Sequence, residues 1–219
     1  MGKEINLLIN YPKTKRNTSE RQFIKNKEIV KVAKKYGYDY FDGDRKYGYG
    51  GYNYNPKYWS QVSIDLINHY NLNNNSKVLD VGCAKGFLLY EFKQNLPNLV
   101  VEGIDISNYA IENAKKEIKK YLKVGNATDL PYADNSFDLV ISIVTLHNLK
   151  IDKLKKALSE ISRVSKKDSF ITLDAYSNSE EKKNMEDWNL TAETMMSKEE
   201  WKTFFDESNF YGDYYWFIP

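Results

Sequence analysis

Sulfur and imidazole are scarce in this chain: its 219 residues hold one cysteine, Cys83, and two histidines, His69 and His147. A lone cysteine excludes an intrachain disulfide framework and a multi-cysteine zinc site. Two histidines give no basis for a histidine-rich metal centre, so no metal is expected. Long apolar runs are missing too. No segment reaches the roughly 20 residues of a membrane-spanning helix, and the opening Met1-Gly2-Lys3-Glu4 lacks the apolar core of a signal peptide. The expectation is a soluble, cytoplasmic protein with no membrane partner. An excess of one charge is lacking as well, since 32 basic and 30 acidic side chains leave a net charge of +2. That balance does not provide the footprint of a strongly basic nucleic-acid binder. Lys13, Lys15, Arg16 and Arg21 form a small N-terminal excess, read most simply as the solvated face of a helix.

What the chain does have is tyrosine: 18 of them, in a sequence that is 15% aromatic. Tyr36, Tyr38, Tyr40, Tyr47, Tyr49, Tyr52, Tyr54 and Tyr58 are interleaved with Gly43, Gly48, Gly50 and Gly51. A second cluster, Tyr211, Tyr214, Tyr215, Trp216 and Phe217, closes the chain. Residues 20–35 carry the spacing of one amphipathic helix. The glycine-tyrosine stretch 41–54 has neither helical nor strand period and reads as a long ordered loop. Pro56 opens a helix over 57–70, with Val62, Leu66 and Ile67 inward.

From residue 76 the pattern is regular. Strands are expected at 77–82, 99–106, 121–124, 137–144 and 169–175, alternating with helices at 87–95, 108–120 and 151–164. A further helix is expected over 198–208 and an aromatic strand at 213–218. This alternation specifies an α/β fold: a mostly parallel, Rossmann-like sheet of six or seven strands with helices on both faces. The division expected is an N-terminal helical and aromatic-loop extension over 1–59 and a main domain over 60–219.

The chemistry concentrates at the strand ends. Val78-Leu79-Asp80-Val81-Gly82-Cys83-Ala84-Lys85-Gly86 turns a strand into a helix, and small residues at 82, 84 and 86 let a ligand approach the backbone. Alone, such a turn also suits a dinucleotide enzyme or a structural corner. The second strand ends in Gly103-Ile104-Asp105-Ile106, where a carboxylate can accept from two ribose hydroxyls. Gly125-Asn126-Ala127-Thr128-Asp129 follows the third strand, and Asp134-Asn135-Ser136-Phe137-Asp138 leads into the fourth. In this order the segments resemble the class I S-adenosylmethionine-dependent methyltransferases of the small-molecule branch, over about residues 60–175. Asp80 separates this reading from a pyrophosphate turn, because its charge suits a sulfonium or ammonium group and repels phosphate.

The resemblance implies S-adenosylmethionine as cofactor and S-adenosylhomocysteine as product. Asp80 then faces the amino acid end, with Gly82, Cys83, Ala84 and Gly86 forming the turn around it. Asp105 binds the ribose, Ile106 packs on the adenine, Asn126 accepts from the adenine amino group and Ala127 offers a backbone N–H. Ile143 lies near the methionine part. Ala84 stands where the family has glycine, which is tolerable provided φ there is not positive. Cys83 reads as a small turn residue and not a nucleophile.

The acceptor belongs beyond the carboxyl end of strand four, beside Val144-Thr145-Leu146-His147-Asn148. His147 is the candidate general base, with a helix-capping or backbone-bonding role as the alternative. Asn148, Arg45, Tyr47, Tyr49 and Tyr52 are the candidate acceptor pocket, Arg45 as a grip on an anion. The Asn-Pro-Pro-Tyr type of motif seen in nucleobase and amide methyltransferases is missing here. The expected reaction is O-methylation of a small polar, anionic acceptor. With Asp187-Trp188-Asn189-Leu190-Thr191-Ala192, the whole chain resembles methyltransferases found among bacterial surface-polysaccharide (capsule) genes, which implies a sugar acceptor. RNA or protein methylation and a non-catalytic cofactor-binding role are the alternatives. A monomer or homodimer is expected.

Overall fold

The structure is a computed structural model that describes residues 2–13, 16–50 and 53–218. Its first part contains three short helices, α1 (Thr18–Ile24), α2 (Lys27–Ala33) and α3 (Tyr38–Phe41), and a 3-10 turn at Arg45–Tyr47. The single helix expected over 20–35 is therefore two. Asn26 splits it by accepting from the backbone N–H groups of Glu28 and Ile29, the geometry of an N-cap and not of a helix interior. The long fourth helix, α4 (Pro56–His69), starts where Asn55 caps and Pro56 takes the first position. Tyr52 lies outside the described residues.

The main sheet follows as β1 (Lys77–Val81), α5 (Phe87–Asn95), β2 (Val100–Asp105), α6 (Asn108–Glu112), β3 (Leu122–Val124), β4 (Phe137–Ile143), α7 (Ile151–Val164) and β5 (Ser165–Tyr176). Then come α8 (Ser179–Trp188), β6 (Met196–Ser197), α9 (Lys198–Glu207) and β7 (Asp213–Phe217). The α/β, Rossmann-like fold is as expected, with a strand order of β3-β2-β1-β4-β5-β6 and β7 also paired with β5. Every pairing between these strands is parallel, and even Glu4 bridges Tyr214 in parallel sense. A parallel return needs a crossover, which α9 supplies between β6 and β7. No terminal hairpin forms among the described residues.

Two expectations change. The helix expected over 108–120 stops at Glu112, because Ile118 is drawn down against Gly86 and Leu122 and Lys115 turns onto the Tyr54 and Tyr90 rings. A strand not expected from the sequence, the two-residue β6, follows the turn after α8 and is the sixth in chain order.

Both faces of the sheet are buried. Leu79, Val81 and Ile104 join α7 and α9 on one side; Val78, Cys83 and Val101 join α4 and α5 on the other. A third, smaller cluster of Ile29, Ala33 and Leu190 carries Tyr40, Tyr47 and Tyr49. It places α2 and the aromatic loop beside the turn after α8, above the carboxyl ends of the strands. No described helix is long and apolar enough to cross a membrane.

Candidate active site

The turn after β1 is built on three left-handed residues, Gly82, Ala84 and Gly86. A side chain at Gly82 is excluded twice: φ is +88°, and a Cβ would fall 2.3 Å from the Thr145 side chain. Ala84 has φ of +46°, so the condition attached to an alanine here is not met. Its strain is offset by its own N–H, which donates to Asp105 Oδ2 at 2.8 Å. Asp105 Oδ1 accepts from the Ser107 N–H, also at 2.8 Å. Two backbone bonds thus aim the Asp105 carboxylate, leaving its remaining lone pairs for a ligand. Burial still holds the Asp105 pKa above the ordinary value, against those two bonds.

Asp80 is 5% exposed and accepts no hydrogen bond among the described residues. Burial, reinforced by the neighbouring Asp105 charge, pushes its pKa up to about 8. An unsatisfied buried carboxylate of this kind is stabilised by a cationic ligand group. Asp80, Gly82, Cys83, Ala84 and Ile143 line one cavity of about 230 Å³. Gly86 sits behind it on Leu122, and Ile106 stands 56% exposed as an apolar surface at the end of β2. The buried carboxylate beside an open glycine turn suits the ammonium group of a ligand such as S-adenosylmethionine.

One expected contact is not made ready. Asn126 Oδ1 accepts from both the N–H and the hydroxyl of Thr128, at 3.0 Å each. Its lone pairs are therefore spent within its own turn and not on an adenine amino group. Ala127 is half-buried against the core. Asn126 and Ala127 lie outside the lining of this cavity, as do Asp105 and Ile106. Tyr47, expected in the acceptor pocket, packs instead into the cluster around Ile29 and Leu190.

A larger cavity, about 940 Å³, adjoins the first and shares Tyr11, Tyr40, Tyr49, Tyr58, Trp59 and Ile143 with it. Arg45, Tyr49, His147 and Asn148 line this space, as expected. His147 is 3% exposed, and burial lowers its pKa, so the ring is neutral near neutrality. Its Nδ1 faces the Asp174 backbone N–H at 3.4 Å, while Nε2 lies 3.5 Å from Asp174 Oδ2. Both ring nitrogens are thus turned to Asp174.

Asp174 was not visible as a site residue in the sequence, although it closes β5 at the carboxyl end, where ligands bind in such sheets. It is 2% exposed and lines the larger cavity. Asn189 Nδ2 donates to its Oδ2 at 2.5 Å, and Tyr49 in turn donates to Asn189 Oδ1 at 3.1 Å. Asp174 Oδ1 has no partner among the described residues, and neither has the buried Asn148 Oδ1. Burial raises the Asp174 pKa, opposed by His147, Arg16 and Asn189.

The sequence also hid a cluster of arginines. Arg16, Arg21 and Arg45 place their guanidinium carbons 5.4, 4.9 and 5.9 Å from the Trp188 ring centroid. Arg16 also lies 3.9 Å from the Phe217 ring. Arg21 is 4% exposed and donates to the carbonyls of Lys46 and Gly48. Arg16 and Arg21, read above as a solvated face, are turned into the cavity.

The extension is latched to the glycine turn. Lys85 Nζ meets both Asp42 oxygens at 2.5 and 2.7 Å, and the Tyr109 hydroxyl donates to Asp42 at 2.6 Å. Ser107 Oγ donates to the Tyr36 carbonyl at 2.5 Å.

Comparison with known proteins agrees with this geometry. A family model described as a methyltransferase domain matches residues 72–209, more than half of the chain. A demethylmenaquinone methyltransferase of Symbiobacterium thermophilum is 32% identical over 126 residues, 53% of this chain and 49% of the relative. The O-methyltransferase rstn1 of Aspergillus nomiae is 35% identical over 95 residues, 40% of this chain and 41% of the relative. The chain therefore spans less than half the length of these two curated relatives. Among solved structures, the YcgJ protein of Bacillus subtilis shares the fold with a TM-score of 0.54 and 22% identity, covering 67% of this chain and 66% of that one.

Proposed function

The chain belongs to the class I S-adenosylmethionine-dependent methyltransferases, and on that premise we propose that it methylates an oxygen of a small polar, anionic acceptor. The sequence resemblance favours a sugar or a substituent of a bacterial surface polysaccharide. The observation that carries the reading is the meeting of two cavities at Ile143 and Tyr49, one framed by Asp80 and the glycine turn, the other by Asp174 and the arginines.

Asp80 holds the cationic amino acid end of the cofactor, the turn 82–86 gives it close backbone access, and Asp105 holds the ribose. Ile106 provides the apolar surface for the adenine. When bound, S-adenosylmethionine supplies an electrophilic methyl group, and the chain's task is to align an acceptor oxygen with it. Asp174 takes the proton of the acceptor hydroxyl at Oδ1. His147, with both nitrogens turned to Asp174, is a positioning residue in this scheme and not the base itself. Asn189 and Tyr49 fix the other carboxylate oxygen. Tyr11, Tyr58 and Trp59 form the shared aromatic wall between the two spaces.

The test supplies labelled S-adenosylmethionine with sugar phosphates, carboxylated sugars, surface-polysaccharide extracts and RNA. Label recovered as an O-methyl group on a sugar-type acceptor supports the proposal. Label confined to nitrogen, carbon or RNA overturns it.

A further inference from the structure

The chain contains four arginines, and three of them converge on one indole ring. Arg16, Arg21 and Arg45 come from the segment before α1, from α1 and from the 3-10 turn, yet all lie within 6 Å of the Trp188 centroid. Among the described residues no lysine takes part in this stacking on Trp188. Guanidinium groups stack on aromatic faces and present planar donor edges, which an ammonium cannot do. The choice of residue type therefore points to recognition and not to bulk charge.

Asp174, in the same cavity, acts on Arg16 across the space without a salt bridge, and the nearer acids are engaged elsewhere. Glu20 accepts from Asn17 Nδ2, and Asp44 accepts from the Lys46 backbone and pairs with Lys46 Nζ. Among the described residues neither Arg16 nor Arg45 is in a salt bridge, whereas the fourth arginine, Arg163, is held by Glu160 and Asp134. Like charges crowded beside a low-dielectric wall repel one another unless an anion joins them. The opposite requirement holds elsewhere in the same cavity. Asp174 Oδ1 and Asn148 Oδ1 are buried acceptors without a partner, so this end calls for hydroxyl donors.

We propose that the 940 Å³ cavity is a site for a hydroxylated phosphate ester, its phosphate held by Arg16 and Arg45 beside Trp188 and its hydroxyl presented to Asp174 and Asn148. This rests on the methyltransferase reading only for the fate of that hydroxyl. Phosphate is preferred to carboxylate because the two guanidinium groups, Arg16 and Arg45, reach Trp188 from separate segments. A tetrahedral group offers acceptor oxygens in several directions, while the two oxygens of a carboxylate share one plane.

The experiment is calorimetry on the full chain, with and without S-adenosylhomocysteine, using glucose 1-phosphate, inorganic phosphate, glucuronate and glucose as probes. The expected order is glucose 1-phosphate tightest, inorganic phosphate weaker, and glucose undetectable. Glucuronate binding equal to that of the phosphate ester overturns the choice of phosphate, and inorganic phosphate equal to the ester overturns the hydroxyl end. Arg45→Gln, at an exposed position, and Arg16→Gln are each expected to weaken glucose 1-phosphate roughly tenfold or more. S-adenosylhomocysteine affinity should stay unchanged in Arg45→Gln. Phosphate-ester binding that survives both substitutions overturns the site. If the wild-type chain binds glucose 1-phosphate but not S-adenosylhomocysteine, the methyltransferase reading fails and the oxyanion site stands.

Discussion

In the proposed transfer Asp174 is the base and His147 positions it. His147 is buried, neutral and aimed at Asp174 from both nitrogens, while Asp174 keeps one oxygen without a partner at the cavity wall. Asp174→Asn is expected to lower the methyl-transfer rate by roughly 10²-fold or more while leaving S-adenosylhomocysteine affinity intact. Because burial raises the Asp174 pKa, the ionised form and the rate fall with decreasing pH through a limb above the ordinary carboxyl range. His147 lowers that pKa, against burial and alongside Arg16 and Asn189, so His147→Gln should move the limb to higher pH and retain much of the plateau rate. A plateau loss as large as that of Asp174→Asn would return the base role to His147.

Asp80 makes a separate prediction at the same scale. Its pKa rises from 3.8 to about 8 in the folded chain, so folding favours the protonated acid. The associated stability is full below the unfolded value of 3.8 and is lost as pH climbs from there to about 8. Without ligand, Asp80→Asn should therefore melt well above wild type at pH 9 and approach it only near pH 4 and below, compared by thermal unfolding across that range. The same change should weaken S-adenosylhomocysteine by roughly tenfold or more, since the amide cannot pair with its ammonium group.

Among elements, the turn joining β1 to α5 shows what a local pattern discloses and what it conceals. The order strand, small residues, helix is readable because hydrophobic period and glycine content are local properties. The backbone sign at Ala84 is not, since it depends on the pull of Asp105 from the next strand. Ala84→Gly should relieve the left-handed alanine and raise stability by about 1 kcal/mol in chemical denaturation, with cofactor affinity unchanged. A loss of stability would mean that the alanine methyl contributes packing that offsets its strain. The same contrast explains the helices. α5 and α7 fall on their expected bounds through their apolar positions, since neither N-terminus carries a side-chain cap. α1 and α2 separate because Asn26 prefers to cap, and α6 stops early because Ile118 has a better place beneath Gly86.

At the scale of the whole molecule, the site is assembled from segments far apart in the chain. Asp80, Asp105 and the glycine turn were legible because the family pattern orders them along successive strands. Arg16 meeting Trp188 and Phe217, or Asp174 meeting His147 and Asn189, has no counterpart in local spacing. The tail contributes a parallel β7 that also receives Glu4, so the two ends of the chain close the same edge of the sheet. The N-terminal basic residues that supported an RNA acceptor lose that support where Arg16 and Arg21 turn inward. The latch of Lys85 and Tyr109 on Asp42 seats the aromatic extension on the cofactor turn, so both cavities depend on its closure. The central claim is that the space lined by Asp80 and the glycine turn, with Asp105 beside it at the end of β2, holds the methyl donor. Calorimetric titration of S-adenosylhomocysteine into the wild-type chain and Asp105→Ala tests it most directly. One saturable site that weakens roughly tenfold or more in the variant is the expected result; no binding to wild type, or equal binding to both, contradicts the claim.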